Sequence, residues 1–332
     1  MLIAAFQFFS SMPITARVIL VFISIGFPVG ALGEELTSFS EILVEQDALT
    51  FKKVKGYVEE HPDAADVETA YAWLFKTARK HRWESELFDH TVHYLKRKEG
   101  LSRDLAIEVR LLAWGRTGQW EDAAWEWERL LGEARLAVQA ENLKTAALGN
   151  ELAIEAQLAG KIEIAQDIYK KLMRRLFLNQ GIQTLCKSKL AKLELIGKKA
   201  PRIGTVDLER RPIRLADNQD KWLLVDFWAT DCLPCREAFP EWQRLYQNYH
   251  SQGFEIIGIS LDEDPAKVRA FLKQRNIRWN QALSSSDVGK TKERYRVDTI
   301  PSAFLIDPAG EVLLIDPSPR DVEEVLVRKL PP

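Results

Sequence analysis

One junction constrains this chain more than any other: the apolar run Trp222-Leu223-Leu224-Val225-Asp226-Phe227-Trp228-Ala229 ends, three residues on, in Cys232-Leu233-Pro234-Cys235. A continuous apolar run of this length reads as a strand buried on both faces of a sheet. A helix opening at the first cysteine would aim unpaired N–H groups and the positive end of its dipole at that sulfur, and both favour an anion. The second sulfur then stands one helical turn on, close enough to close a disulfide. A pair so placed can pass two electrons to and from other proteins.

The remaining cysteine arithmetic supports that reading. The chain has three cysteines in 332 residues, too few for a disulfide scaffold. No second CxxC or CxxH completes a zinc set, so neither a metal nor another cofactor is expected. Asp89, His90 and His93 share a helical spacing, but a solvated or packed face explains them more simply than a metal. Cys186, alone in an apolar helical stretch, reads as a small buried hydrophobe. A net charge of −2 does not call for nucleic acid or an anionic membrane as partner.

The N-terminus reads as an export signal. Arg17 precedes the apolar run Val18-Ile19-Leu20-Val21-Phe22-Ile23-Ser24-Ile25, followed by Gly26 and Pro28 and then Ala31-Leu32-Gly33, with cleavage expected near Gly33. The residues before Met12 are unusual for such a signal, and Met12 is an alternative start. An uncleaved membrane anchor is the alternative, disfavoured because the run is short and broken by glycine and proline. No cysteine stands at the cleavage site for lipid attachment. Residues 1–33 are therefore assigned to the signal, and the mature protein to the periplasm or cell envelope.

Residues 34–197 read as helix after helix, with Pro62 the one proline and apolar residues at three- and four-residue spacing. Two stretches resemble tetratricopeptide hairpins. In each, Gly118 or Gly160 turns the chain, Ala123 or Ala165 lets helices approach, and Trp127 or Tyr169 packs on a neighbouring hairpin. The two turn glycines are 42 residues apart, against about 34 in that family. A weaker copy centres on Lys80-His81-Arg82-Trp83. Tryptophans 73, 83, 114, 120, 125 and 127 are assigned to packing between helices.

From Lys198 on, the pattern changes to α/β. Residues 203–208 and 212–215 suggest a hairpin. Strands follow at 222–229, 254–260, 279–283, 303–306 and 312–315, and helices at 232–250, 265–274, 287–295 and 321–330.

The run Val225 to Cys235 resembles the active-site segment of thioredoxin-fold proteins, and Thr299-Ile300-Pro301 resembles their cis-proline loop. Ala200-Pro201, the extra helix and strand between Asp264 and Leu283, and the signal segment are similar to the TlpA- and ResA-like branch of the redoxin superfamily. The resemblance covers about 199–330. It implies a thioredoxin-like domain at 198–332, preceded by the helical domain, and a thiol–disulfide oxidoreductase acting on disulfides of exported proteins. A reductive role and a membrane dithiol as electron source go with it; client binding is a separate expectation for the helical domain, which the resemblance does not cover.

Residue by residue, the resemblance makes Cys232 the exposed nucleophile and Cys235 the shielded resolving thiol. Pro301 is expected in a cis bond beside the disulfide, with the Ile300 backbone pairing with a substrate strand. Trp228, Thr299, Leu233 and Pro234 complete the expected substrate surface. Asp226, a carboxyl in a buried strand, is either a structural hydrogen-bonding group or the proton acceptor for Cys235. Two departures limit the transfer: Ala238 stands where ResA-like chains often carry glutamate, beside Glu237, and Asp231 replaces a common tryptophan. Two rival functions are a peroxidase, since peroxiredoxins place threonine three before the reactive cysteine whereas Thr230 stands two before, and an adaptor with a non-catalytic redox fold.

Overall fold

The computed structural model describes residues 39–283 and 286–330; the segment expected to be a signal, residues 1–33, lies outside them. The chain divides into two compact units between Thr77 and Ala78. In the first, α1 (Phe39–Glu60) leads to the start of α2 (Val67–His81). There the Tyr57 hydroxyl donates to Asp66 at 2.5 Å, and the rings of Tyr71 and Phe75 stack.

The second unit begins in the last turn of α2. Its helices are α3 (Phe88–Lys96), α4 (Arg103–Arg116), α5 (Trp120–Glu133), α6 (Gln139–Leu158), α7 (Ile162–Arg175) and α8 (Gln180–Leu193). The turns α4–α5 and α6–α7 pass through Gly118 and Gly160 at φ +82° and +70°, where any side chain would be strained. Ala123, Ala165, Trp127 and Tyr169 are all fully buried. Trp127 gives its indole N–H to Thr145 O at 3.2 Å on α6, and Tyr169 its hydroxyl to Asn150 at 2.9 Å. Trp125 is the exception among the tryptophans assigned to packing, 64% exposed on the outer face of α5. On α3, a His93 ring nitrogen pairs with the Asp89 carbonyl at 2.8 Å, and Cys186 is buried on α8.

After α8 the backbone runs along the sheet edge, with Gly197 N–H to Val312 O and Val312 N–H to Lys198 O, both at 2.9 Å. The sheet comprises β1 (Trp222–Trp228), β2 (Phe254–Ser260), β3 (Asn280–Ala282), β4 (Ser302–Ile306) and β5 (Val312–Ile315), in the order β3-β2-β1-β4-β5. β1 pairs parallel with β2 and antiparallel with β4, so the sheet is mixed. Helices α9 (Leu233–Tyr249), α10 (Pro265–Arg275), α11 (Ser286–Arg294) and α12 (Pro319–Lys329) join and flank the strands. This is a thioredoxin-like fold behind an all-α array.

The expected hairpin at 203–215 is present in reduced form, with Asp207 N–H to Arg211 O at 2.8 Å and Ile213 N–H to Thr205 O at 3.0 Å. These bonds flank one antiparallel bridge, Val206 to Pro212, and the strand pairing extends no further. The Asp207 carboxylate draws the chain into a tight turn at its tip, accepting the N–H groups of Glu209 (2.9 Å) and Arg211 (2.8 Å).

The strands sort their side chains by the period of two. On β1, Trp222, Leu224 and Trp228 join a core with Phe239, Trp242 and Leu245 of α9 and Val322 and Leu326 of α12. Leu223, Val225 and Phe227 join the opposite core, which is continuous with the helical array through Leu193, Cys186 and Tyr169. The array therefore covers one face of the redox sheet. Each such buried aliphatic or aromatic chain contributes about 1.5–3 kcal/mol.

Candidate active site

The site lies where β1 ends and β4 begins. Phe227 and Ser302 are register partners, so the antiparallel pairing carries Thr230–Cys235 and Thr299–Pro301 to the same end of the sheet. The Ile300–Pro301 peptide is cis. Cys232 caps α9 with its sulfur accepting the Cys235 N–H at 3.3 Å, and Pro234 sits in the first turn, where a missing N–H leaves no bond unmade. The helix thus starts one residue later than expected, with Cys232 as its cap. The two sulfurs are joined at 2.05 Å.

The two cysteines differ in exposure. Cys235 is buried at the base of α9, while Cys232 is only half-buried. Around Cys232 the surface is apolar: Leu233 is 56% exposed, Pro234 and Pro301 are exposed, and Ile300 is half-buried. Thr299 is also exposed and Asp231 lies at the rim.

Trp228 departs from the expected substrate surface. It is wholly buried, its indole N–H bonded to Gln281 at 2.9 Å and its ring packed on Phe239 and Phe271. It supports the cysteine loop from beneath and has no face to offer a substrate.

Asp226 sits in mid-strand between Gly258 and Ala303. The alternation that sends Leu224 and Trp228 toward α9 sends Asp226 the same way, onto the face that holds Cys235. Burial pushes its carboxyl up to about 7. It can therefore hold or release a proton near neutral pH.

The sequence did not disclose one part of the site. Asp262, just past β2, accepts the Thr230 N–H at 2.8 Å, the Thr230 hydroxyl at 2.5 Å and the Ser260 hydroxyl at 2.9 Å. Burial alone would raise this carboxyl, but those hydrogen bonds and Lys267 nearby hold it below its usual range. The only sequence signal was a polar pair, Ser260 and Asp262, at the end of an apolar strand.

A mixed sheet in this order, with a half-exposed and a buried cysteine bonded at a strand–helix junction, defines a thioredoxin-fold dithiol protein. Residues 196–315 match the AhpC/TSA family. A thiol–disulfide oxidoreductase ResA from Bacillus cereus is 37% identical over 126 residues, 38% of this chain and 71% of that protein. The ResA of Bacillus subtilis is 30% identical over 156 residues, 44% of this chain and 86% of the relative. The thioredoxin domain of a thiol–disulfide oxidoreductase from Bacteroides vulgatus is 28% identical, covering 41% of this chain and 98% of that domain at a TM-score of 0.39. The chain belongs to the ResA-type thiol–disulfide oxidoreductases of the AhpC/TSA family. The family match begins at Ile196, beyond the last helix of the array.

Proposed function

We propose that this oxidoreductase is exported and reduces disulfides in other exported proteins, with residues 198–332 as the redox domain and the helical domain, 34–197, as the client-binding part. In the reduced enzyme, the Cys232 thiolate attacks one sulfur of a substrate disulfide. A Cys232–substrate bond forms, and the displaced substrate sulfur leaves as a thiolate that takes a proton from solvent. Cys235 then gives its proton to the Asp226 carboxylate and attacks the Cys232 sulfur. The second substrate sulfur departs and is protonated. The substrate has gained two electrons and two protons, and the enzyme is left as the Cys232–Cys235 disulfide. A membrane dithiol returning two electrons would close the cycle.

The observation that carries this reading is the unequal exposure of the two sulfurs, with Asp226 on the buried one's face. A substrate reaches Cys232 first, and only an intramolecular attack reaches the bond from Cys235. Thr299, Ile300 and Pro301, with Leu233 and Pro234, would hold the substrate strand across the mouth. Export rests on Arg17, the apolar run after it and Ala31-Leu32-Gly33.

Against a peroxidase stands Thr230, whose hydroxyl is turned into Asp262 and away from any peroxide at Cys232. Against a redox-inert adaptor stands the intact dithiol. The test is a pre-reduced Cys235→Ser variant of the full chain, which should accumulate a mixed disulfide with disulfide-bonded insulin, while the wild type supplied with dithiothreitol as reductant turns insulin over. Turnover by the variant at the wild-type rate, or hydrogen peroxide consumed faster than insulin, would overturn it.

A further inference from the structure

The segment from Arg296 to Ala303 carries Thr299, Ile300 and Pro301, and both of its ends are fastened to the same helix of the array. Ahead of the loop, Arg296 donates through Nη1 to the Ala191 carbonyl at 2.6 Å and to Glu194 Oε2 at 2.5 Å, at the end of α8. Behind the loop, Asp316 Oδ1 accepts the Ser302 hydroxyl at 2.6 Å and the Ala303 N–H at 3.2 Å. The same carboxylate is gripped from α8: Lys192 Nζ lies 3.2 and 2.9 Å from its two oxygens, and Lys189 Nζ lies 3.1 Å from Oδ2. Asp298, inside the loop, adds its own attraction to Lys192.

These lysines are not surface groups. Their side chains are 8% and 2% exposed, and two ammonium groups meet one carboxylate in the core between α8 and the sheet. Burying charge so costs several kcal/mol per ion and stabilises the fold weakly at best. Apolar side chains in place of all three charged groups would pack this face at no such cost, but they would remove the carboxylate that holds Ser302 and Ala303. The chemistry therefore specifies a position rather than stability. Within the redox domain the Asp316 N–H also bonds to Ala303 O at 2.6 Å, but the two lysines come from outside it: α8 ends at Leu193, before the family match begins.

We propose that α8 of the helical array sets the position of the substrate loop, with Lys189 and Lys192 acting through Asp316 on its trailing end and Ala191 and Glu194 acting through Arg296 on its leading end. Lys189, Lys192, Glu194 and Arg296 are thus positioning residues for the recognition edge. This rests on the reading of residues 299–301 as the edge that pairs with a substrate. A small disulfide needs only Cys232, whereas a protein strand needs the loop in register, so the two substrates should separate the effects.

The experiment uses the full chain and compares Lys192→Met, Lys192→Arg, Arg296→Ala and Ile300→Glu. Each is assayed for KM and kcat with insulin, for the rate with a small aromatic disulfide, and for thermal unfolding. Lys192→Met should raise the insulin KM by about tenfold and Arg296→Ala by about threefold, since a loop displaced by a fraction of an ångström loses alignment steeply. The small-disulfide rate should stay within about twofold of wild type, and Lys192→Arg should recover most of the loss. Should Lys192→Met not fold, the partly exposed Arg296 keeps the test open. An unchanged insulin KM in folded Arg296→Ala and Lys192→Met, with a raised KM in Ile300→Glu, overturns the role of α8 alone. An unchanged KM in Ile300→Glu as well overturns the loop reading on which it rests. Parallel losses with both substrates would show a merely structural helix and also overturn the proposal.

Discussion

Thr230 gives both its backbone N–H and its hydroxyl to the Asp262 carboxylate, tying the loop that leaves β1 to the loop that leaves β2. Ser260 donates to the same carboxylate at 2.9 Å, so three donors converge on two oxygens beneath the cysteine loop. Removing the acceptor strands buried donors two residues from Cys232.

Asp262→Ala should therefore lose stability at roughly 1–3 kcal/mol for each buried donor left without an acceptor. The sign of the pH dependence follows from the depressed carboxyl. Its contribution is present above the unfolded value of about 3.9 and disappears as pH falls through the lower folded value. Urea unfolding of wild type and variant at pH 7 and pH 3 checks this, with the difference between them shrinking at pH 3. An equal difference at both pH values would remove Asp262 from this role.

Asp226 predicts the opposite slope. Its carboxyl is pushed up to about 7 in the fold. Between about pH 4 and pH 7 the native state keeps a proton that the unfolded chain has released, so stability falls as pH rises through that window. Asp226→Asn should abolish the slope, matching wild type near pH 4 and exceeding it by roughly 4 kcal/mol at pH 8. The same variant should slow resolution of a trapped mixed disulfide by about 10²-fold and lose the rate inflection near neutrality. A variant more stable yet equally fast would leave Asp226 structural only.

The redox half was largely legible in the sequence because its signals are local. Apolar strands, the proline in the first turn of α9 and the Asp264 cap of α10 each act within a few residues, and the observed ends differ from the expected ones by only a residue or two. The 203–215 hairpin is shorter than expected because alternating side chains say nothing of a carboxylate that prefers its own backbone, as Asp207 does. Lys189 and Lys192 were illegible for another reason. A lysine on a helix reads as a solvated group, and only the meeting of α8 with Asp316, more than a hundred residues on, makes it a buried ion.

Close helix approach in the array yields a paired prediction. A Cβ on Gly149 of α6 would lie 2.7 Å from the Trp127 ring, which Thr145 O holds in place, while one on Gly132 of α5 would meet nothing within 4 Å. Alanine improves helix propensity at both positions by about 1 kcal/mol. Only at Gly149 does it force a rigid ring to move, at about 1–3 kcal/mol. Thermal unfolding should therefore show Gly132→Ala stabilised and Gly149→Ala destabilised. Stabilisation of both would mean that the Trp127 ring yields freely.

An ion cluster that joins the turn after α2 to α6 and α12 makes the last prediction. Arg82, at φ +60° in the turn after α2, reaches Glu324 at 2.6 Å, Glu155 at 3.1 Å and Asp321. Arg116 meets Glu155 from α4 at 2.5 Å, so the two guanidinium groups bind carboxylates of α6 and α12 together. Burial pushes the Glu155 carboxyl up, and it stays offset only while Arg116 and Arg82 face it. Arg82→Ala should cost about 3–5 kcal/mol, because it leaves carboxylates buried without their cation. Glu324→Gln should cost far less, since Arg82 keeps Asp321 and Glu155. Added salt should change the Arg82→Ala cost little, as buried pairs are weakly screened. Denaturant unfolding at low and high salt reads all three. A loss under about 1 kcal/mol for Arg82→Ala, the range of exposed pairs, would mean that solvent reaches this cluster freely.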